Sequence, residues 1–307
     1  MAPLIWLITG ATSGLGEALV SRALAAGDRV VATGRRAEER LAHLISDNVA
    51  VVDLDVSASR EHIEAQVKKA WESFGRIDIL VNNAGVSAPK AIEEASDEFM
   101  QHIFDVNVFG PIRVTQAMLP YFRSQGCGSV AFIGAGVAWA PISFLAHYSA
   151  SKAALGRFAE GLRKELRGQG IHCTVFEPGG FASQLGHPRG ESDDEGFGRY
   201  QPTVRDYAGL FADTMEVFAN EVAPNIPGDV VNLAGVVVDL VRSSEGMAGQ
   251  LPVRVVLGSD SLALVRQKCK EQLELADGFE HVSRRTDRGD ANALCYDGML
   301  GLTTMLS

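Results

Sequence analysis

The chain has 307 residues, 46% apolar and 21% charged, a balance that suits a soluble globular protein with a substantial core. Its net charge of −10 argues against a nucleic-acid partner, because such binding neutralises phosphates with Lys and Arg. No apolar run reaches the roughly 18 residues that a spanning helix requires, so no membrane partner is expected.

The opening segment Met1–Ile8 lacks a basic leader region and enters a motif at once, so Leu4–Ile8 reads as a first strand. Further Val- and Ile-rich runs follow at Arg29–Thr33, Val49–Leu54, Ile77–Asn82, Ser129–Ile133, His172–Phe176 and Val253–Leu257. Such unbroken apolar runs suit parallel strands covered by helices on both faces. Amphipathic segments of helical length lie between them, at Gly14–Ala26, Arg36–Ile45, Ser59–Phe74, Asp97–Ser124, His147–Gln169 and Asp229–Ser243. The alternation predicts an α/β, single-domain, doubly wound Rossmann fold: a parallel sheet of about seven strands with helices on both faces. The domain is assigned to residues 1–280 and a C-terminal tail to 281–307, its order left open. A substrate lid is placed at about 181–222, where the Gly-, Pro- and acid-rich stretch Phe181–Thr203 leads into a helix around Val204–Glu221. Cys127, Cys173, Cys269 and Cys295 are far apart and form no C-x-x-C pair. They read as free thiols of a reducing compartment, the cytoplasm by default, and no metal site is expected.

After the first strand comes Thr9-Gly10-Ala11-Thr12-Ser13-Gly14-Leu15-Gly16, followed by a helix. Glycines there permit a tight turn, a close approach to a pyrophosphate and close helix–strand packing, while the helix N-terminus offers N–H groups to phosphate. Gly10, Thr12, Ser13, Gly14, Leu15 and Gly16 are therefore cofactor-binding candidates. The second strand leads into Gly34-Arg35-Arg36, with no acid before Glu38. A carboxylate here would suit the ribose diol of NAD, whereas guanidinium suits the 2′-phosphate of NADP, so Arg35 and Arg36 point to NADP.

The Gly-rich turn, Asp55-Val56 after the third strand and Asn82-Asn83-Ala84-Gly85 after the fourth resemble the short-chain dehydrogenases/reductases over roughly residues 3 to 260. Tyr148-Ser149-Ala150-Ser151-Lys152, Asn107 and Glu177-Pro178-Gly179-Gly180-Phe181 fall in the family's order. The resemblance implies that Asp55 and Val56 flank the adenine, and that Asn83, Ala84 and Gly85 line the cofactor cleft. It places Pro178, Gly179 and Phe181 beside the nicotinamide. It also implies that Tyr148 passes a proton to or from the substrate oxygen, that Lys152 holds the nicotinamide ribose, and that Asn107 supports a proton-carrying water chain. Residues four apart share a helix face, so Tyr148 and Lys152 can point into one cleft, where the ammonium, aided by a positive nicotinamide ring, is expected to favour the phenolate. Family members often form oligomers through helices around Asp97–Ser124 and His147–Gln169; the sequence leaves the state open.

One position departs. The family carries a serine just after the fifth strand; here the strand runs Val130-Ala131-Phe132-Ile133-Gly134-Ala135, and Ala135 stands at that place. Four readings fit: the substrate supplies its own positioning group, Ser143 or His147 swings in, the fold serves a redox-neutral isomerisation or cyclisation, or the alanine is an introduced substitution. Retention of Tyr148, Lys152 and Asn107 ranks hydride transfer first, as a ketone–alcohol interconversion. Trp139, Phe144, Leu145, Phe181, Phe197 and Tyr200 are expected to wall a pocket for a medium-sized apolar small molecule.

Overall fold

Seven strands are built from the Val- and Ile-rich runs: β1 (Ile5–Ile8), β2 (Arg29–Gly34), β3 (Val49–Asp53), β4 (Ile79–Asn82), β5 (Gly128–Ile133), β6 (Ile171–Pro178) and β7 (Arg254–Leu257). All pair in parallel, in the order β3-β2-β1-β4-β5-β6-β7. The computed structural model describes residues 3–181, 200–246 and 251–288. The helices in chain order are α1 (Gly14–Ala25), α2 (Ala37–Arg40), α3 (Arg60–Phe74), α4 (Asp97–Phe104), α5 (Gly110–Gln125), α6 (Ala146–Glu165), α7 (Ala208–Val217), α8 (Val230–Gly246) and α9 (Ser259–Ser283).

Side chains alternate across a strand, so each strand feeds two cores. Ile5 and Leu7 of β1 join Ile63, Met118 and Leu155, from α3, α5 and α6, on one face of the sheet. Trp6 and Ile8 join Leu19 of α1, Ala37 of α2 and Val237 of α8 on the other. This three-layer packing explains why the strands carry no polar face. The single-domain Rossmann expectation holds.

Three local expectations change. The helix expected over Asp97–Ser124 is two, α4 and α5, joined by a π-turn over Asp105–Phe109. Pro111 has no N–H for the carbonyl of Asn107, which opens the regular ladder there. A Cβ on Gly110 would stand 2.6 Å from the Val56 carbonyl oxygen, so glycine lets this junction approach the end of the β3 segment. The helix expected over Arg36–Ile45 shrinks to α2 and a 3₁₀ turn at Ala42–Leu44, with Ala37 and Leu41 its only buried side chains. Too little apolar surface is covered to extend it. Finally, α9 was not expected at all; it runs through residue 280, the boundary assigned to the tail, and ends at Ser283. Residues 182–199 of the lid and 289–307 of the tail lie outside the described residues, as does Cys295. Among the described residues no helix is long and apolar enough to cross a membrane, no His/Cys/Asp/Glu group has metal-holding geometry, and Cys127, Cys173 and Cys269 are unpaired.

Candidate active site

The order of the sheet reverses between β1 and β4, the place where open α/β sheets bind ligands. Thr9 at the end of β1 stitches the two strand ends together. Its Oγ1 accepts the N–H groups of Asn83 (3.0 Å) and Ala84 (3.1 Å), while Asn83 Nδ2 donates to the carbonyls of Thr9 (2.9 Å) and Gly10 (3.3 Å). Gly10 takes φ of 66°, and a Cβ there would lie 2.8 Å from Ala84 Cα. A Cβ on Gly16 would lie 2.2 Å from the Gly10 carbonyl oxygen, so only glycine lets α1 pack down on the turn. Ser13 caps α1 in extended backbone without a side-chain bond to it, leaving the first N–H groups of the helix open toward the groove.

The groove runs from this turn in two directions. Toward β2 it is lined by Gly34, Arg35, Arg40, Asp55 and Val56, with Asp55 the one carboxylate among the described lining residues. Asp55 is held by its own turn, accepting from the N–H (2.9 Å) and hydroxyl (2.6 Å) of Ser57. Arg36 is not part of this wall. It begins α2 in left-handed backbone, φ 51°, and is exposed. One helical turn later Arg40 comes back over the Gly-rich turn, where Nη1 donates to Thr12 Oγ1 at 2.9 Å. The second cation of the groove is thus Arg40, a residue the sequence reading passed over.

Toward β5 the groove is lined by Ile133, Gly134, Ala135, Tyr148, Lys152 and, opposite, Pro178, Gly179 and Phe181. Tyr148 and Lys152 sit one turn apart on α6, both buried. The Lys152 ammonium donates to the Ile133 carbonyl at 2.7 Å and lies 5.9 Å from the centre of the Tyr148 ring. Burial pushes the Lys152 ammonium down to about 8 and the Tyr148 phenol up from its usual value. Burial disfavours the charged form of each group, so in the cofactor-free chain it works against the phenolate that the ammonium would favour.

Asn107 stands behind the groove, on the π-turn, fully buried. Its Oδ1 accepts from the Val86 N–H (2.9 Å), and Nδ2 donates to the Val86 carbonyl (2.9 Å) and Ser151 Oγ (3.0 Å). Ser151 in turn donates to the Tyr148 carbonyl at 2.7 Å. A Cβ on Gly85 would meet both Asn107 Oδ1 (3.3 Å) and Lys152 Nζ (3.5 Å), so glycine leaves the two polar groups facing the same small space.

Ala135 lines the groove in extended backbone and is buried. Neither expected substitute joins it. Ser143 is exposed and outside the lining, and His147 packs edge-on against Phe99, 5.5 Å between ring centres. The aromatic wall also differs from expectation. Phe181 lines the groove, whereas Phe144 (φ 66°) and Tyr200 pack against Phe211 in a separate cluster. Trp139 turns its indole to Glu177, Leu145 is not a lining residue, and Phe197 lies outside the described residues.

Residues 5–194 match the family model described as short chain dehydrogenase. The chain belongs to the short-chain dehydrogenase family. It is 32% identical to oxidoreductase BOA17 of Botryotinia fuckeliana over 284 residues, covering 89% of this chain and 95% of the relative. It is 36% identical over 180 residues to the Escherichia coli K12 NADP-dependent 3-hydroxy acid dehydrogenase YdfG, covering 57% of this chain and 72% of that one. A short-chain dehydrogenase structure from Streptomyces avermitilis aligns with a TM-score of 0.76 and 30% identity, over 92% of this chain and all of that one (100%). Similar family structures have been solved with NADP⁺ and with NADH. Membership of the family makes the chain a nucleotide-binding oxidoreductase. The residues fit a nicotinamide dinucleotide: Gly10, Ser13 and Gly14 line the groove at the N-terminus of α1, whose first N–H groups take no side-chain cap, and the absence of a Cβ at Gly10 and Gly16 lets the turn pack against Ala84 and under α1. Of the cofactor-binding candidates, Gly16 and Arg36 fall outside the lining, Gly16 because it packs α1 on the turn. Gly34, Arg40, Ser57, Val86, Val230 and Leu233 line the groove without having been singled out.

Proposed function

We propose that this short-chain dehydrogenase is NADP(H)-dependent and interconverts a ketone and a secondary alcohol on a medium-sized apolar small molecule. One observation carries the reading: a single groove has two guanidinium groups, Arg35 and Arg40, at one end and the buried Tyr148–Lys152 pair at the other. Arg35 and Arg40 would hold a 2′-phosphate, and the open N–H groups of α1 the pyrophosphate. When bound, the nicotinamide supplies or accepts the hydride. Tyr148, kept protonated by burial, donates the proton to the substrate oxygen in the reductive direction. Lys152 spends one of its three N–H donors on Ile133, leaving two for the ribose and a positive charge beside the phenolate that forms. Asn107 fixes Val86 and, through Ser151, the first turn of α6 that carries Tyr148. Ala135, Ile133 and Phe181 give the substrate end an apolar surface.

The test is a panel of neutral ketones and alcohols, followed by the absorbance of the reduced nicotinamide with NADPH and NADH in parallel. NADPH consumption that exceeds NADH consumption, on at least one apolar ketone, is the expected result; silence across the panel with tight NADPH binding refutes it. Ala135 favours a second reading, a redox-neutral isomerisation or cyclisation with the dinucleotide held in place. Product formed without net change in NADPH distinguishes it.

A further inference from the structure

Beneath the Ala135 end of the groove, side chains from several elements close around one carboxylate. Glu177, near the end of β6, has 0% exposure. Its Oε2 accepts from Trp139 Nε1 at 3.0 Å, and its Oε1 pairs with Arg254 Nη1 from β7. Arg254 also pairs through Nε with Glu160 of α6, and its guanidinium carbon lies 5.2 Å from the Trp139 ring centre. The approach depends on missing side chains. A Cβ on Gly156 would stand 2.6 Å from Arg254 Nη2, and one on Gly134 would stand 3.2 Å from Glu177 Cγ. The first turn of α9 closes the arrangement: Ser261 Oγ donates to the Glu177 carbonyl at 3.1 Å, and Asp260 accepts from the Gly180 N–H at 2.6 Å.

Three segments border the reacting corner: the turn from Gly134 to Trp139 that presents Ala135, the loop Pro178–Gly180, and the helix of Tyr148 and Lys152. All three meet at this one ion pair. We infer that Glu177 and Arg254 are positioning residues for catalysis, holding Trp139 and with it the turn that sets Ala135 against the substrate. A buried ion pair is a weak means of stabilising a fold, since removing two charges from water offsets most of their attraction. Burial indeed raises the Glu177 pKa against the pull of Trp139 and Arg254. What the pair supplies that apolar packing would not is direction: a fork shared between two carboxylates, and an indole hydrogen bond that fixes one ring orientation.

The kinetic arm rests on the ketone–alcohol reading; a second arm needs neither cofactor nor substrate. In the full-length chain, Trp139 emission is isolated by subtracting the spectrum of Trp139→Phe, and its quenching by acrylamide is measured. Glu177→Gln and Arg254→Lys should raise the quenching constant of Trp139 while that of the remaining tryptophans stays the same. Trp139→Phe keeps the ring and the ion pair but loses the donor; it should lower kcat/KM on the best ketone about tenfold, with NADPH affinity unchanged. If Glu177→Gln does not fold, Arg254→Lys carries the quenching arm and Trp139→Phe the kinetic one. Should the wild-type chain reduce no ketone, the proposed activity fails and quenching alone decides the positioning role. Quenching unchanged in both charge variants overturns the inference. So does a lower Tm with wild-type kcat/KM per folded molecule, since that is the behaviour of a fold staple.

Discussion

Replacing Ala135 by serine places one oxygen on a Cβ that already faces the groove. The backbone there is extended, φ −164° and ψ 148°, so serine fits without strain, and the groove gives the new hydroxyl access to water in the resting protein. The folded state should lose little, and Tm should stay close to that of the wild type. The reaction should change far more. Among the described lining residues of this end, Tyr148 is the only hydroxyl, so on the proposed reading a ketone oxygen gathering charge has one neutral side-chain donor. One preorganised donor at a developing oxyanion contributes roughly 10²–10³-fold, about 2.7–4 kcal/mol of transition-state stabilisation. Because the contact strengthens as charge develops, the gain should fall on kcat with KM nearly constant. The assay is steady-state NADPH oxidation by wild type and Ala135→Ser on matched ketones, with and without an internal hydrogen-bond donor beside the carbonyl. A ketone carrying its own donor should gain less, because that donor already does the work. Unchanged kcat on both ketones, with NADPH affinity intact, refutes the view that this site runs one donor short.

Four further outcomes follow from the groove and the turn beneath it. Arg40→Ala should weaken NADPH binding tenfold to about a hundredfold and leave NADH binding nearly unchanged, while Arg36→Ala should alter neither; fluorescence titration of each cofactor reads this. If the ammonium form of Lys152 is the working form, kcat/KM for reduction should fall as pH rises through about 8, and Lys152→Arg should move that limb out of range; a flat profile to high pH contradicts it. The same depressed pKa makes the Lys152 contribution to stability largest above its unfolded value and lost as pH falls through about 8, which urea unfolding of the cofactor-free protein at two pH values measures. Gly16→Ala should cost about 1–3 kcal/mol of overpacking and several degrees of Tm, because its methyl would meet the Gly10 carbonyl; a neutral substitution would disprove the packing role.

The strands were legible because the central ones, β1, β4 and β5, are buried on both faces and so spell continuous apolar runs, and the half-buried edge strands β3 and β7 keep Val-rich runs; the ends are correct to within two residues for β1 to β7. The glycine turn was legible for a related reason: at Gly10 and Gly16 the backbone tolerates no side chain, and the sequence has no other way to meet that demand. What escaped depends on geometry that linear spacing hides. Arg36 adjoins Arg35 in the chain, yet its left-handed backbone takes it away from the groove, and Arg40 returns because α2 completes one turn. The helix α9 escaped because it covers almost no apolar surface, with Ser261 its one buried residue; the Leu-, Glu- and Lys-rich composition from Ser259 onward was the available signal. The Glu177–Arg254–Trp139 joint gave no signal at all, since its members are 38 and 77 positions apart.

The acid–base pair shows how far a residue list stops short of a mechanism. Tyr148 four residues before Lys152 suggested a phenol made acidic by an ammonium. In the folded chain both groups lie in the same low-dielectric pocket, and burial acts on them in opposite senses, raising the phenol and lowering the ammonium. Their charged forms are therefore disfavoured together, and at neutral pH the cofactor-free site holds a neutral phenol beside a cation with little margin to spare. A proton already on Tyr148 is what carbonyl reduction needs at its start. Alcohol oxidation needs that proton gone first, and the only nearby cation among the described side chains of the pocket is Lys152, whose own charge weakens as pH approaches 8. On the proposed ketone–alcohol reading, burial therefore favours the direction in which Tyr148 starts protonated.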